Sequence, residues 1–527
     1  MRSLLMFPDR DFDPRQLLIS NVMYRYREID RQSRLSPHDR SLVEDLELNT
    51  FLNAMAGGDE FLFEVAQAVL LTGQGNNVET VLYRQDVLSD CLEERATVRQ
   101  LYGLAAEVTE GTRRKWFDLS SNTPSSLIYY ASDLLEVLLS VLRRLRSLAE
   151  QQAGKFKSKA FTALFATFRD EIGDEYLAHV QKHLTELRFR KGVLLSAKLG
   201  DSNQSTNLVL RTPPDKRRHW YERVLRNGPA SYSFRLAERD EAGGRILSDM
   251  RNRGIARVAV ALAQSADHVL GFFRTLRTEL AFYVGCLNLH DQLVTMGAPV
   301  CFPTPAPAGR RAHSFNRLYD VSLRLQLEGK VVGNTVDAVG KGLVIITGAN
   351  QGGKSSFLRS IGQAQLMMQC GMFVGAESFK SEMCTGLFTH YKREEDVTMK
   401  SGKFDEEVAR MSDIVDRIAP NSLLLFNESF AATNEREGSE IANQIVRALL
   451  EKSIKIFYVT HLYDFAHRLY EGKIENALFL RAERKADGAR TFKMLEGEPL
   501  ETSYGEDLYE RIFGTAGDAT TAETSQA

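Results

Sequence analysis

The sequence predicts a multidomain protein in which an all-α region is followed by an α/β domain built around a phosphate-binding loop. Three observations carry this. Apolar residues recur at helical spacing through most of residues 41–300, short continuously apolar runs alternate with helical patterns from residue 315 onward, and one of those runs leads into GANQGGKSS at 348–356. At roughly 150 residues per domain, 527 residues accommodate three or four domains.

Residues 1–40 are rich in Arg and Asp, show weak periodicity, and read as an N-terminal arm. From residue 41 to 186 the pattern is helical. Leu42, Leu46, Phe51 and Leu52 begin it, loop signals at Gly57, Gly58 and TGQGNN (72–77) interrupt it, and Leu134, Leu135, Leu138, Val141, Leu142 and Leu145 mark a longer helix whose other face carries Arg143, Arg144 and Arg146. Within 187–243 the runs KGVLLSAKLG and TNLVLRT alternate with Gly, Asn and Pro as short strands do, which predicts a small insertion. Helical spacing returns over 244–300, as if an arm went out, turned and came back. Residues 301–314, with Pro303, Pro305 and Pro307, read as a linker, residues 315–514 as the α/β domain, and 515–527 as a disordered tail.

Composition narrows the classes further. Lys and Arg (67) nearly balance Asp and Glu (69), so the chain is neither a wholly basic nucleic-acid binder nor a disordered acidic chain. The charge is nonetheless unevenly spread. Between Arg188 and Arg235 eleven basic residues face three acidic ones, an excess of about eight, with Arg190, Lys191, Lys216, Arg217, Arg218 and Arg223 among them and Trp220 and Tyr221 interleaved. Such a patch releases counterions from a phosphate backbone and binds it without regard to sequence; a solvated Arg-rich face is the plainer alternative. Five scattered cysteines without a CxxC pair, no secretory leader and no run of about 18 uncharged apolar residues lead to the expectation of a cytoplasmic protein with no membrane partner.

The loop GANQGGKSS fits GxxxxGK[ST]. An apolar strand, LVIIT, precedes it and an amphipathic helix follows, so the backbone N–H groups of Gly348, Ala349, Asn350, Gln351, Gly352, Gly353 and Ser356 and the helix N-terminus would converge on one anion. Lys354 is expected to reach the β and γ phosphates, and the Ser355 hydroxyl to ligate Mg²⁺. A second strand, SLLLF, ends at Asn427 and Glu428. Glu428 is the candidate catalytic base, and Asn427 can accept from a metal-bound water but brings no negative charge where Asp is usual. A third strand ends at Thr460 and His461, where an imidazole could sense the γ-phosphate or position the water.

On these stretches, 343–513 resembles the ATPase domain of the MutS family of DNA mismatch repair proteins, a branch of the ABC-type ATPases. The matching residues are LVIITGANQGGKSSFLRSIGQAQLMMQCGMFVGAE, SLLLFNES, YVTHLYDFAH and LETSYGEDLYERIFG. More weakly, 40–300 resembles the core and lever helices of that family, with the insertion where the family places its DNA clamp. The resemblance implies a dimer, homodimeric or of related chains, with two ATP molecules sandwiched between ATPase domains, Asn334 in VVGN beside the adenine, and Ser401 in KSGKFDEE completing the partner's site. It also leads to the expectation of a shortened member without the mismatch-reading and connector domains.

The function expected is an ATP-driven DNA clamp in repair or recombination, acting on duplex or branched DNA. Asn427 keeps a second reading open, a nucleotide-switched scaffold with little hydrolysis. A chromosome-organising ABC-type ATPase would need coiled-coil arms of many heptads, and the helical patterns here are too interrupted.

Overall fold

A computed structural model describes residues 2–12, 35–116, 123–189, 192–201, 205–212, 232–393, 402–485 and 488–500. Chain contacts divide it into two compact units, one of residues Arg99–Arg277 with the first three residues, the other of Leu4–Val98 and everything from Thr278 on. The division falls within helices α5 (Arg95–Trp116) and α9 (Glu241–Thr295).

The first unit is helical with one hairpin. It holds most of α5, then α6 (Pro124–Gln152), α7 (Lys159–Asp170), α8 (Asp174–Leu187), the antiparallel strands β1 (Leu195–Leu199) and β2 (Ser205–Leu210), and α9 up to Arg277. Pro124 at the first turn and a reciprocal Thr123–Ser126 capping box start α6, satisfying N–H groups that have no helical partner. Its stripe Leu134, Leu138, Val141, Leu142 and Leu145 is buried. By length and composition alone 124–155 could cross a membrane, and 50% of its most apolar window is buried inside the protein. Phe156, Phe161, Phe165 and Phe168 stack along α7 and meet Phe272 of α9, with ring centroids 4.5–6.4 Å apart. The hairpin lies in the insertion read at 187–243. Arg188 pairs with Glu136 at 2.6 Å, and Lys198, Arg211 and Arg235 are exposed. Arg190, Lys191, Lys216, Arg217, Arg218, Trp220, Tyr221 and Arg223 lie outside the described residues.

The second unit contains α1 (Pro37–Asp45), α2 (Leu48–Ala56), α3 (Glu60–Thr72), α4 (Val78–Glu93) and the end of α9, together with the α/β domain. The helical pattern of 41–186 is therefore not one body. Two sheets form among the described residues of this unit. In the larger, the order is β12-β11-β6-β10-β9-β8, from β6 (Leu343–Gly348), β8 (Leu387–Tyr391), β9 (Leu423–Asn427), β10 (Lys455–Val459), β11 (Ala477–Arg484) and β12 (Arg490–Glu496). All neighbours are parallel except β12, an antiparallel edge. Leu343, Ile345, Leu424, Phe426, Ile456 and Tyr458 face a core completed by α12 (Lys403–Val415), α13 (Glu435–Glu451) and α14 (Tyr463–Glu471). The opposite face meets α11 (Lys354–Gln369), where an added Cβ on Gly362 would come 2.9 Å from Leu425. Burial on both faces explains why these strands read as unbroken apolar runs.

The smaller sheet, β3-β7-β4-β5, overturns one boundary. Residues 301–314 are not a linker: β3 (Thr304–Ala306) runs parallel to β7 (Ser378–Glu382), and β4 (His313–Leu318) pairs with both β7 and β5 (Asn334–Asp337). Pro305 is tolerated because a short, terminal strand needs few ladder donors. The helix α10 (Val321–Gln326) follows, capped by Asp320, whose side chain accepts from Leu323 N.

The N-terminal arm is also corrected over 4–12. Leu5, Met6 and Phe12 are buried, and the fully buried Glu279 carboxyl accepts from Leu5 N and Phe12 N, each at 2.9 Å. The buried Arg84 donates to Met6 O at 2.8 Å, and its guanidinium lies 4.6 Å from the Phe7 ring. Local periodicity is silent here because the segment is held by side chains distant in sequence. Glu279→Leu strands two buried backbone donors at a cost on the order of 3 kcal/mol. Hydrogen exchange of the peptide covering 4–12 should accelerate by about two orders of magnitude in that variant; unchanged exchange would contradict the assigned anchoring.

Candidate nucleotide site

Three parallel strands run in register to the same edge of the sheet, β6 continuing two residues further to Gly348. Val459 of β10 stands beside Ile346 of β6 on one side and Asn427 of β9 on the other, so the residues that follow each strand emerge together at the carboxyl edge of the sheet. After β6 comes the glycine-rich loop, after β9 Glu428, and after β10 Thr460 and His461.

The loop needs glycine at two places. Gly348 has φ +107° and a Cβ there would lie 2.9 Å from Ala482 N; Gly353 has φ +86° and forms the N-cap of α11. Phe357 N–H is the first of α11 to bond within the helix, to Gly353 O at 2.9 Å, so the N–H groups of Lys354, Ser355 and Ser356 at the loop have no helical acceptor. Lys354 is 5% exposed, and its Nζ donates to Gly348 O at 2.8 Å and Ala349 O at 3.0 Å. Burial pulls its pKa down to about 8, against the opposing attraction of Glu428. The ammonium is therefore solvated by loop carbonyls.

Ser355 Oγ donates to Asn427 Oδ1 at 3.1 Å, which brings both expected metal-site residues to one point. Glu428 is 2.6 Å from His461 Nε2, and this hydrogen bond holds its carboxyl below the usual carboxylate range although burial pushes the other way. The backbone of Glu428 is left-handed, at φ +55°, and its N–H donates to Val459 O at 2.9 Å. The structure thus brings together Lys354, Ser355, Asn427, Glu428 and His461. Ser401 and the 503–514 stretch lie outside the described residues.

A cavity of about 450 Å³ opens from the loop, lined by Asn350 to Ser356 and Glu428 together with the apolar side chains of Leu323, Leu327, Val331, Val332 and Phe492, the last packed against Gly353. A cavity of this size that joins a helix N-terminus to apolar side chains suits a phosphorylated ligand with a flat apolar group. Asn334 lines the cavity, but its amide is already engaged: Nδ2 donates to Phe492 O at 3.2 Å and Oδ1 accepts from Met494 N at 2.8 Å. It shapes the wall by tying β5 to β12. Phe492, at φ +60°, escaped the sequence reading because nothing in TFKML distinguishes a wall residue from an ordinary strand residue. Tyr319, Asp320 and Lys330 are likewise wall residues legible only in three dimensions.

Comparison with known proteins agrees with this geometry. Residues 76–296 match the family described as MutS2 N-terminal domain, and residues 344–513 match MutS domain V. MutS protein homolog 4 of Mus musculus is 31% identical over 219 residues, covering 38% of this chain and 22% of the relative. The DNA mismatch repair protein MutS of Thermus aquaticus is 30% identical over 166 residues, covering 32% of this chain and 20% of the relative, and that of Streptococcus mutans is 28% identical over 263 residues, covering 46% and 30%. The aligned chain thus spans between a fifth and a third of the length of these curated relatives. Two MutS family matches in consecutive regions, with MutS relatives among the similar proteins, make the chain a member of the MutS family.

Proposed function

We propose that the protein binds and hydrolyses ATP and uses the cycle to act on DNA in repair or recombination, as a dimer in which ATP binding closes the two nucleotide domains around DNA-holding arms. The observation that carries the enzymatic part is the convergence of a buried loop lysine and a hydrogen-bonded glutamate on one cavity. Family membership supports the DNA part, as does the basic excess between Arg188 and Arg235.

In this reading the loop N–H groups and Lys354 take the triphosphate, the ammonium leaving the carbonyls of Gly348 and Ala349. Glu428 remains a carboxylate at neutral pH and accepts the proton of the attacking water as oxygen bonds to the γ-phosphorus and the bond to the leaving diphosphate breaks. His461, on Glu428 Oε1, orients the carboxylate and leaves Oε2 for the water. Mg²⁺ fits the oxygen pair of Ser355 and Asn427, the first as hydroxyl ligand and the second as acceptor from a metal-bound water. Bound there it neutralises phosphate charge. Among the described residues no cluster of three or more His, Cys, Asp or Glu offers a metal site, so the ion depends on the nucleotide for most of its ligand charge.

That neutral oxygen pair favours a second reading, a switch in which ATP binding changes the state of the protein and hydrolysis is slow. Negligible turnover with intact ATP binding supports the switch; DNA-stimulated turnover supports the clamp.

Lys354→Ala is expected to abolish ATP binding in calorimetry, and Glu428→Gln to keep binding while lowering turnover by about 100-fold or more. Wild-type turnover in both variants would overturn the site. Free Lys354 is charged below its pKa of about 8 and neutral above it, and bound phosphate favours the charged form. ATP affinity is therefore expected to be flat between pH 7 and about 7.5 and to weaken by up to tenfold per unit above about 8; a flat profile to pH 9.5 would contradict the buried, carbonyl-solvated lysine. For the DNA reading, replacing Lys216, Arg217 and Arg218 by Ala should weaken binding equally across sequences and reduce the log-log salt slope by about 2–3. An unchanged slope would remove the patch from the DNA surface.

A further inference from the structure

The turn that carries Glu428 is unusual. Glu428 and Phe430, on either side of the fully buried Ser429, are both left-handed, at φ +55° and +62°. Neither is glycine, and a bulky side chain in that region persists only where its surroundings impose it. The surroundings here are three buried polar groups from three different elements.

On α12, Glu407 is 4% exposed and its Oε2 accepts the Phe430 N–H at 2.9 Å. On β8, His390 is fully buried; its Nε2 lies 2.9 Å from Glu407 O and its Nδ1 2.7 Å from Ser429 Oγ. Burial pushes the His390 pKa down to about 4, so the ring is neutral at pH 7. With Nε2–H donating to the Glu407 carbonyl, Nδ1 is left as an acceptor, and the single Ser429 hydroxyl proton is shared between Nδ1 and the His390 carbonyl, which lies 2.6 Å from Oγ; the tautomer is assigned from its partners. The ring also stacks on Phe430, with centroids 5.3 Å apart and planes at 21°. On β10, the Tyr458 hydroxyl donates to Ser429 O at 2.9 Å. Each polar group of residues 429 and 430 named here therefore meets a partner fixed in the core, Phe430 N–H meeting Glu407 directly and the Ser429 hydroxyl meeting it through His390.

We propose that Glu407 is a positioning residue for ATP hydrolysis: by holding Phe430 N–H directly and Ser429 through His390, it sets the left-handed turn that aims Glu428 at the cavity and ties that aim to the position of α12. The proposal rests on the reading of Glu428 as the base. Glu407 touches neither nucleotide nor reacting water. Its effect is confined to where Glu428 points, so a shift of α12 reaches the carboxylate through two buried hydrogen bonds, the Glu407 carboxylate on Phe430 N–H, which substitution removes, and the Glu407 main-chain carbonyl on His390 Nε2–H, which substitution leaves in place.

The test uses the full chain with Glu407→Ala and Glu407→Gln, measuring turnover, KM for ATP, the Kd of a non-hydrolysable analogue, and hydrogen exchange of the peptide covering 427–434. Glu407→Ala is expected to lower kcat by at least about tenfold with KM and Kd within about twofold, and to lose protection in that peptide. Glu407→Gln keeps an oxygen that can accept from Phe430 N, and should restore both protection and kcat to within about threefold of wild type. Unchanged kcat and protection in Glu407→Ala would overturn the proposal, and so would a parallel loss of affinity, turnover and melting temperature that glutamine fails to rescue. Where turnover is too slow to compare, retained protection in Glu407→Ala alone overturns it. Glu428→Gln, run alongside, keeps the two readings apart. Retained turnover there overturns the role of Glu428 itself, whereas lost turnover there with an unaffected Glu407→Ala overturns only the positioning role.

Discussion

The backbone register of β6, β10 and β9 is the constraint on which the site depends. Parallel strands point their carboxyl ends the same way, and the pairing of Ile346 with Val459 and of Val459 with Asn427 sets these three residues side by side. A one-residue slip would carry Asn427 and Glu428 about 3.3 Å along the strand and turn their side chains to the other face. The register is defended by burial: Leu343, Val344, Ile345, Ile346, Leu424, Leu425, Phe426, Ile456, Phe457 and Tyr458 are all inaccessible on both faces of the sheet. Chemistry at the edge is thus paid for by hydrophobic packing in the interior.

The same register explains what sequence reading could and could not see. Strands buried on both faces are continuous apolar runs, so LVIIT, SLLLF, KIFYVT, ALFLR and TFKML announce themselves, and strands form at each. The β8 run LFTHY does not, because His390 and Thr389 are polar residues buried in the core and periodicity counts them as exposed. The proline-rich 301–314 was misleading for the opposite reason. Its strands are short members of a smaller sheet, and composition alone reads three prolines as a break. The segment 4–12 carries no signal at all, since the Glu279 and Arg84 that hold it lie roughly 70 to 270 residues away.

The candidate site was legible in the residues that local motifs define, namely the loop, Lys354, Ser355, Asn427, Glu428 and His461. What stayed hidden was everything set by tertiary contact: Phe492 in the cavity wall, the engagement of both ends of the Asn334 amide, and the Glu407, His390 and Ser429 network beneath Glu428. Asn427 illustrates the limit from the other side. The sequence shows the missing charge, and only the structure shows that its amide oxygen meets the Ser355 hydroxyl, a contact made without any charge.

A co-crystal structure with Mg²⁺ and a non-hydrolysable ATP analogue tests the account most directly. The account predicts the triphosphate on residues 348–356, the base against Phe492 and Val332, Lys354 Nζ moved from the Gly348 and Ala349 carbonyls to phosphate oxygens, and Glu428 facing the γ-phosphate. A nucleotide bound elsewhere, or one bound here with Lys354 still on the loop carbonyls and Glu428 turned away, would contradict it.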